Sequence, residues 1–193
     1  MTSSVDLPEA VRQLQLRRAF KGHSPGIEKC MVITSEAKLA IADDDVLKHS
    51  VIVPFETEDK CCYIYNPKET EVVLLQIDNK LIANRPGGIA DCAVFNTVLF
   101  CLVEFKTNAE GNTDEAIKAT YRKAAEQLKT TLQLFVNKEK AIGIDFLNTV
   151  ETECHIIVNQ IFPRSRTAEQ TLQLEFAGET ATLLSFEDEF ARM

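Results

Sequence analysis

The sequence of 193 residues lacks several features that would assign it to a familiar class of protein. No apolar run approaches the roughly 18 residues of a transmembrane helix, and residues 1–18 are charged throughout, unlike a secretory signal. There is no tryptophan and no internal repeat. We therefore predict a single cytoplasmic domain over residues 1–193 that has no membrane partner.

Motifs for zinc and for nucleotides are also missing. None of the six cysteines belongs to a C-x-x-C pair, and the adjacent Cys61–Cys62 lack the spacing of a zinc site. Because most cysteines lie in apolar runs, we expect reduced thiols in the core. The three histidines show no ligand spacing and are assigned no role. No G-x-G-x-x-G or G-K-[ST] is present, which argues against a phosphate-binding loop.

Basic side chains are in the minority, at 21 against 29 acidic ones, for a formal charge of −8. This balance argues against a protein that coats nucleic acid through bulk charge. The basic residues are nevertheless grouped, in segment 7–21 and at Lys118, Arg122 and Lys123. These last three are the candidate contacts to nucleic acid, whereas the Asp43–Asp45 run is interpreted as a solvated loop. Any binding of nucleic acid is thus expected to be local.

Patterns of strands and helices are what the sequence does contain. The strongest is a helix over 114–136, where apolar residues recur at intervals of three and four. Further helices are predicted at 7–21 and 168–176, and segment 32–42 is predicted to be a strand or a short helix. Strands are predicted at 51–53, 61–65, 71–77, 89–95, 98–105, 141–146, 154–162 and 182–186. The acidic C-terminal end is expected to be frayed. This order predicts an α/β or α+β fold, with helices packed against a mixed sheet. Its core is placed at about 66–165, between an extension over 1–65 and a C-terminal helix and strand over 166–193.

Two of these apolar runs are separated only by the dipeptide Asn96–Thr97, which predicts a β-hairpin with a two-residue turn. This register pairs Phe95 with Val98 and places Asp91 opposite Leu102. The second run is almost continuously apolar, so we expect a central strand covered on both faces.

Three charged side chains share one face of this hairpin. Glu104 lies diagonally across from Asp91, and Lys106 follows Glu104 by two residues, so all three point the same way. One interpretation is an ordinary solvated strand end. The other is a divalent-metal site, because unpaired charge on a buried strand pair is costly and hard oxygen ligands suit Mg²⁺ or Mn²⁺.

The Asp, twelve intervening residues and Glu-x-Lys within Ile89–Lys106 resemble the active-site hairpin of the PD-(D/E)xK nuclease superfamily. The resemblance is carried best by residues 71–136. It implies a restriction-endonuclease-like fold, an α/β architecture with a mixed four-stranded core sheet flanked by helices. It also implies hydrolysis of phosphodiester bonds with Mg²⁺ or Mn²⁺, in DNA rather than RNA. Asp91 and Glu104 would be metal ligands, and Lys106 would assist the attacking water.

The resemblance implies two further site residues. Many members place a Gln or Lys on the following helix, and Gln127 fits this role, with Lys123 four residues before it. Members often carry an upstream acid, and Glu71 is taken as the third metal ligand, with Asp78 and Glu28 as alternatives. The Pro that often precedes the Asp is not adjacent to Asp91. A nuclease-fold protein that binds a partner without turnover remains the alternative function, and a homodimer is left open.

Overall fold

The structure is a computed structural model, and it describes residues 7–56, 60–83, 87–109, 113–158, 164–190 and 193. The α-helices are α1 (Glu9–Gln13), α2 (Leu16–Ala19), α3 (Asp114–Lys140), α4 (Phe146–Thr149) and α5 (Arg166–Thr180), with a 3₁₀ helix at Ile27–Cys30. The strands are β1 (Met31–Thr34), β2 (Lys38–Asp44), β3 (His49–Val53), β4 (Cys61–Tyr65), β5 (Val72–Gln76), β6 (Cys92–Phe95), β7 (Leu99–Lys106), β8 (Glu151–Val158), β9 (Leu183–Ser185) and β10 (Glu189–Phe190).

Six strands form the main sheet, in the order β1-β5-β6-β7-β8-β9. The first four are antiparallel neighbours, whereas β7, β8 and β9 run parallel to one another. A parallel pair needs a long crossover connection, and α3 supplies it between β7 and β8. The predicted mixed sheet with flanking helices is therefore confirmed, and it has six strands rather than four.

The main sheet is covered differently on its two faces. On one face α3 packs against β7 and β8, together with the N-terminal helices and α5. On the other face lies a second sheet of four strands, in the order β10-β4-β2-β3, whose apolar side chains share a core with the main sheet. Alternation along β7 sends Phe100 and Leu102 to the helices, and Cys101 and Val103 to the second sheet. The prediction that this strand is covered on both faces is confirmed.

The helix α3 follows from local sequence signals. Thr113 caps its first turn by accepting a hydrogen bond from the Ala116 N–H (3.2 Å), and Asp114 and Glu115 lie where the helix dipole favours acids. The apolar stripe from Ile117 to Phe135 is buried. The helix continues four residues beyond the predicted end, to Lys140.

Several predicted elements have different bounds. The first helix is broken into α1 and α2 at Gln15, whose φ of 46° is left-handed. Segment 32–42 contains two strands, and the strand expected over 154–162 is Glu151–Val158, with residues 159–162 outside the described part. The helix expected over 168–176 runs through Gly178 to Thr180. The C-terminal end, expected to fray, contributes β10 to the second sheet.

The strand predicted over 141–146 is wrong. Gly143 has a φ of 87°, and the chain turns there before the short helix α4. The aromatic ring of Phe146 packs against Phe100 (5.1 Å between centroids), so this apolar residue anchors a helix rather than a strand. Within the described segments, no helix combines the length and the apolar character needed to cross a bilayer.

Candidate active site

The β6–β7 hairpin has a register that differs from the prediction by two residues. Phe95 pairs with Phe100, and the Asn96 N–H donates to the Leu99 carbonyl (3.0 Å), so the turn is Thr97–Val98. The Asn96 side chain accepts hydrogen bonds from the Val98 and Leu99 N–H groups (2.8 and 2.9 Å), and these two hydrogen bonds fix the turn. The predicted Phe95–Val98 and Asp91–Leu102 pairs are therefore wrong.

This correction brings the two acids closer together. Cys92 pairs with Val103, so continuing the ladder by one residue places Asp91 opposite Glu104. A shift of two residues keeps every side chain on its face, which is why the shared face was predicted despite the wrong register. The Asp91 carboxylate accepts a hydrogen bond from the Phe105 N–H (2.6 Å), which holds it against β7.

Both carboxyl groups are held in conditions that disfavour their charge. Burial raises the pKa of Asp91 from its ordinary value of 3.8 to about 7, opposed by the Phe105 hydrogen bond and reinforced by Asp43. Glu104 is 1% exposed, and its pKa is raised well above its usual range by burial and then by the nearby Asp91. The two acids therefore repel each other at the buried end of the hairpin.

Lys106 and Gln127 are brought to the same place. The Lys106 ammonium donates to Oε1 of Glu104 and to Oε1 of Gln127 (the latter 2.9 Å), and Gln127 Nε2 donates to the Ile89 carbonyl (3.2 Å). Gln127 therefore links α3 to the strand that carries Asp91. The structure thus brings all four predicted catalytic residues together at one end of β6 and β7. They are Asp91, Glu104 and Lys106 from the hairpin and Gln127 from α3.

Thr131 adds a contact that the sequence reading missed. Its hydroxyl accepts a hydrogen bond from the Ala90 N–H (2.7 Å) and donates to the Gln127 carbonyl (2.8 Å). The residue before Asp91 is thus fixed to the helix one turn after Gln127. Thr131 therefore positions the backbone of the strand segment that carries Asp91.

An acidic cleft of about 160 Å³ opens beside Asp91, and its wall includes the tip of the β2–β3 hairpin. The residues lining it are Asp43, Asp45, Lys48, His49, Asp78, Asn79 and Asp91. Burial, followed by the charge of Asp45, raises the pKa of Asp43, and burial raises the pKa of Asp78. The interpretation of Asp43–Asp45 as a solvated loop is therefore wrong for Asp43 and Asp44, which belong to β2, and Asp43 is half-buried against the site.

The proposed third ligand, Glu71, is not brought to this cleft. It precedes β5, where its carboxylate accepts a hydrogen bond from the Glu9 N–H (3.0 Å). Asp78 follows the other end of the same strand, and its N–H donates to the Asp91 carbonyl (3.2 Å). About five residues of strand, or ~17 Å, separate Glu71 from the cleft. Among the upstream acids, Asp78 is the one at the site, since Glu28 instead pairs with Arg17 (2.8 Å).

The three predicted contacts to nucleic acid separate into two groups. Lys118 and Arg122 line a cleft of about 410 Å³ between α3 and α5. Lys123 is exposed and lies one helical turn before Gln127, and so is the cation of the three closest along α3 to the acidic end of the hairpin.

The donor atoms are of the chemical type that binds a divalent cation, but in the described structure Asp78, Asp91 and Glu104 do not all place a carboxylate oxygen within 4.8 Å of one another. Oε1 of Glu104 accepts from Lys106, whereas its Oε2 is buried and has no hydrogen-bond partner among the described residues. Oδ2 of Asp91 accepts the hydrogen bond from the Phe105 N–H, so Oδ1 is the oxygen of Asp91 that would bind a cation. Two carboxylate oxygens of opposite residues and a further carboxylate at Asp78 are hard ligands of the kind that Mg²⁺ and Mn²⁺ prefer.

Comparisons with known proteins give no match: no protein-family model, no curated protein and no solved structure is similar to this chain.

Proposed function

We propose that this chain is a divalent-metal-dependent nuclease that hydrolyses phosphodiester bonds, with DNA preferred over RNA on the strength of the resemblance to PD-(D/E)xK nucleases. The observation that carries the proposal is the pairing of Asp91 with Glu104. Glu104 Oε2 is buried without a partner in the described structure, and Asp91 faces an open acidic cleft. Removing a carboxylate from water without pairing it is costly, and a bound cation offsets that cost.

When bound, Mg²⁺ or Mn²⁺ would polarise a phosphoryl oxygen and lower the pKa of a coordinated water. Asp91 and Glu104 would hold it, with Asp78 as the further acid in place of Glu71. Asp91 is fixed by the Phe105 N–H, and its neighbour Ala90 by Thr131, so the ligand pair is positioned by backbone contacts.

Lys106 is the residue proposed to orient the attacking water. An ammonium group has three N–H donors, and two of them are directed to Glu104 and Gln127. In this proposal the third orients a water or stabilises charge that develops on the phosphate. Gln127 is a positioning residue in this scheme, because it acts through Lys106.

The test is cleavage of supercoiled, linear and single-stranded DNA and of RNA by the purified chain with Mg²⁺ or Mn²⁺. We expect Glu104→Gln to abolish cleavage and metal binding. Lys106→Met should retain metal binding and cleave about 10²–10³-fold more slowly, as is usual when a donor that stabilises developing charge is lost. Glu126→Gln is the matched control, since Glu126 is exposed and adjacent to Gln127.

Absence of cleavage of every substrate, or an unchanged rate for Lys106→Met, would overturn the nuclease. A different outcome is a wild-type chain that binds Mg²⁺ and cleaves no substrate, with Mg²⁺ binding lost in Glu104→Gln. That result would favour the alternative of a nuclease-fold binding protein. Calorimetric titration with Mg²⁺ distinguishes these outcomes.

A further inference from the structure

The tip of the hairpin formed by β2 and β3 brings a histidine to the acidic cleft beside Asp91. His49 begins β3 and lines this cleft. Its Nδ1 lies 2.7 Å from the Leu47 carbonyl oxygen, which can only accept, so Nδ1 carries a proton. The other ring nitrogen, Nε2, has no hydrogen-bond partner among the residues that the structure describes. No spacing in the sequence singles out His49, because packing between the two sheets brings it to Asp91.

A buried link between the sheets holds His49 near Asp91. Gln76 on β5 pairs in register with Cys92 on β6, and the Gln76 side chain donates to the Ser50 carbonyl of β3 (2.8 Å). His49 precedes Ser50 and Asp91 precedes Cys92, so each of them is one residue from this link. The histidine side of the cleft is therefore fixed relative to the carboxylate.

The same hairpin tip is joined to the end of β7. The Asn108 side chain donates to both carboxylate oxygens of Asp45 (3.1 Å each). Asn108 follows Lys106 by two residues, so the tip that carries His49 is tied to the strand that carries Lys106.

The residues around Asp91 lie on two sides of it. Lys106 contacts Glu104 and Gln127, and the described wall of the acidic cleft includes none of these three. His49 does line the cleft. The attacking water is assigned to the Lys106 side, and an in-line displacement has its entering and leaving oxygens on opposite sides of phosphorus. The leaving oxygen is therefore expected on the side of His49.

We propose that His49 is a catalytic residue that donates a proton from Nε2 to the leaving oxygen. This inference rests on the proposed nuclease function, and it supplies a proton donor for the leaving group, a role that Asp91, Glu104 and Lys106 do not fill. Histidine is the side chain most often used as a general acid near neutral pH.

The proposed step begins with the His49 ring protonated at both nitrogens. The water oxygen bonds to phosphorus as the bond from phosphorus to the leaving oxygen breaks. The Nε2 proton passes to that oxygen to give an alcohol, and the proton lost by the attacking water goes to solvent. The imidazole takes a proton back from solvent before the next turnover.

The test compares two DNA substrates in Mn²⁺. One is ordinary DNA, and in the other sulfur replaces the leaving oxygen, which is identified beforehand from the chemical ends that the wild-type chain leaves. An alkoxide needs a proton to leave, whereas a thiolate leaves without one, since the pKa of a thiol is about 8.5.

His49→Asn keeps an N–H donor for the Leu47 carbonyl and removes the proton donor at Nε2. We expect it to cleave ordinary DNA about 10²–10⁴-fold more slowly than the wild type and to cleave the sulfur substrate at close to the wild-type rate. His23→Gln is the matched control, because His23 is also half-buried with Nδ1 near a carbonyl oxygen (Leu81, 3.4 Å) but does not line the cleft. Its rates on both substrates should equal those of the wild type. If urea melts show that His49→Asn is unfolded, His49→Gln is the second variant, with the same expectation.

Equal slowing on both substrates would show that His49 has a structural role and would overturn the proposal, as would wild-type rates for the His49 variant. In either case the wild-type chain still cleaves, so the nuclease itself would stand. A wild-type chain that cuts neither substrate would overturn the nuclease and the role of His49 together.

Discussion

The burial of Asp91 predicts how the stability of the metal-free protein depends on pH. The native state holds the Asp91 proton to about pH 7, whereas the ordinary value of its pKa is 3.8. Between these values the native state binds more protons than the unfolded state, so the free energy of unfolding falls as the pH rises. One pKa unit corresponds to about 1.36 kcal/mol, so the two units from pH 5 to pH 7 amount to about 2–3 kcal/mol.

The perturbation is Asp91→Asn, which keeps an acceptor for the Phe105 N–H and removes the charge. We expect the wild-type chain to lose about 2–3 kcal/mol more of its free energy of unfolding between pH 5 and pH 8 than the variant loses. Because Asp91 also raises the pKa of Glu104, this difference belongs to the coupled pair.

The assay is urea denaturation in buffers containing a chelator at several pH values, with Glu126→Gln as the control that should follow the wild type. Adding Mg²⁺ at pH 8 at 100 times its Kd should restore about 2.7 kcal/mol to the wild type and less to Asp91→Asn. Parallel pH curves for the wild type and Asp91→Asn would refute the reasoning, since Asp91 would then be ionised in the native state at pH 5.

Three further predictions concern single side chains. Gly88 has a φ of 84°, and a Cβ there would lie 2.8 Å from Gln127 Nε2, so Gly88→Ala should slow cleavage. Gly87 has a φ of 90°, and none of the described atoms lies within 4 Å of a Cβ there. Gly87→Ala should therefore lower the free energy of unfolding in urea melts only by the about 1–2 kcal/mol of left-handed strain. Burial raises the pKa of Glu139 to about 7, and neither carboxylate oxygen has a described partner, so Glu139→Gln should raise the free energy of unfolding by about 1–3 kcal/mol at pH 8 and change it little at pH 5. Thr131→Val should lower that free energy by about 1–3 kcal/mol by leaving the Ala90 N–H without its acceptor, and an equal loss in Thr130→Val would contradict this assignment.

How much of the site was predictable depends on how far along the chain its contacts reach. Asp91, Glu104 and Lys106 share a face because side chains alternate on strands, and alternation is visible in sequence. The register was not predictable in the same way, because it depends on the Asn96 side chain closing the turn one residue later. Gln127 was expected at the site through the resemblance alone, because its contact with Lys106 depends on how α3 packs against the sheet.

The remaining parts of the site come from packing between layers. Asp43 reaches the cleft because the second sheet covers the main one, and no local pattern distinguishes its charge from that of a solvated turn. Glu71 and Asp78 flank the same strand, and only the pairing of β5 with β6 decides which end meets Asp91.

The order of these contacts along the chain has a consequence for how the protein folds. The Phe105–Asp91 hydrogen bond spans 14 residues, whereas the Lys106–Gln127 contact spans 21 and requires α3 to dock. Short loops close before long ones, so the hairpin brings the two carboxylates together with only the Lys106 ammonium of the same strand beside them, before Gln127 fixes that ammonium. Hairpin formation thus meets an electrostatic barrier at alkaline pH that protonation or a divalent cation removes. Refolding should accordingly be faster at pH 5 than at pH 8 without metal, and Mg²⁺ should reduce that difference.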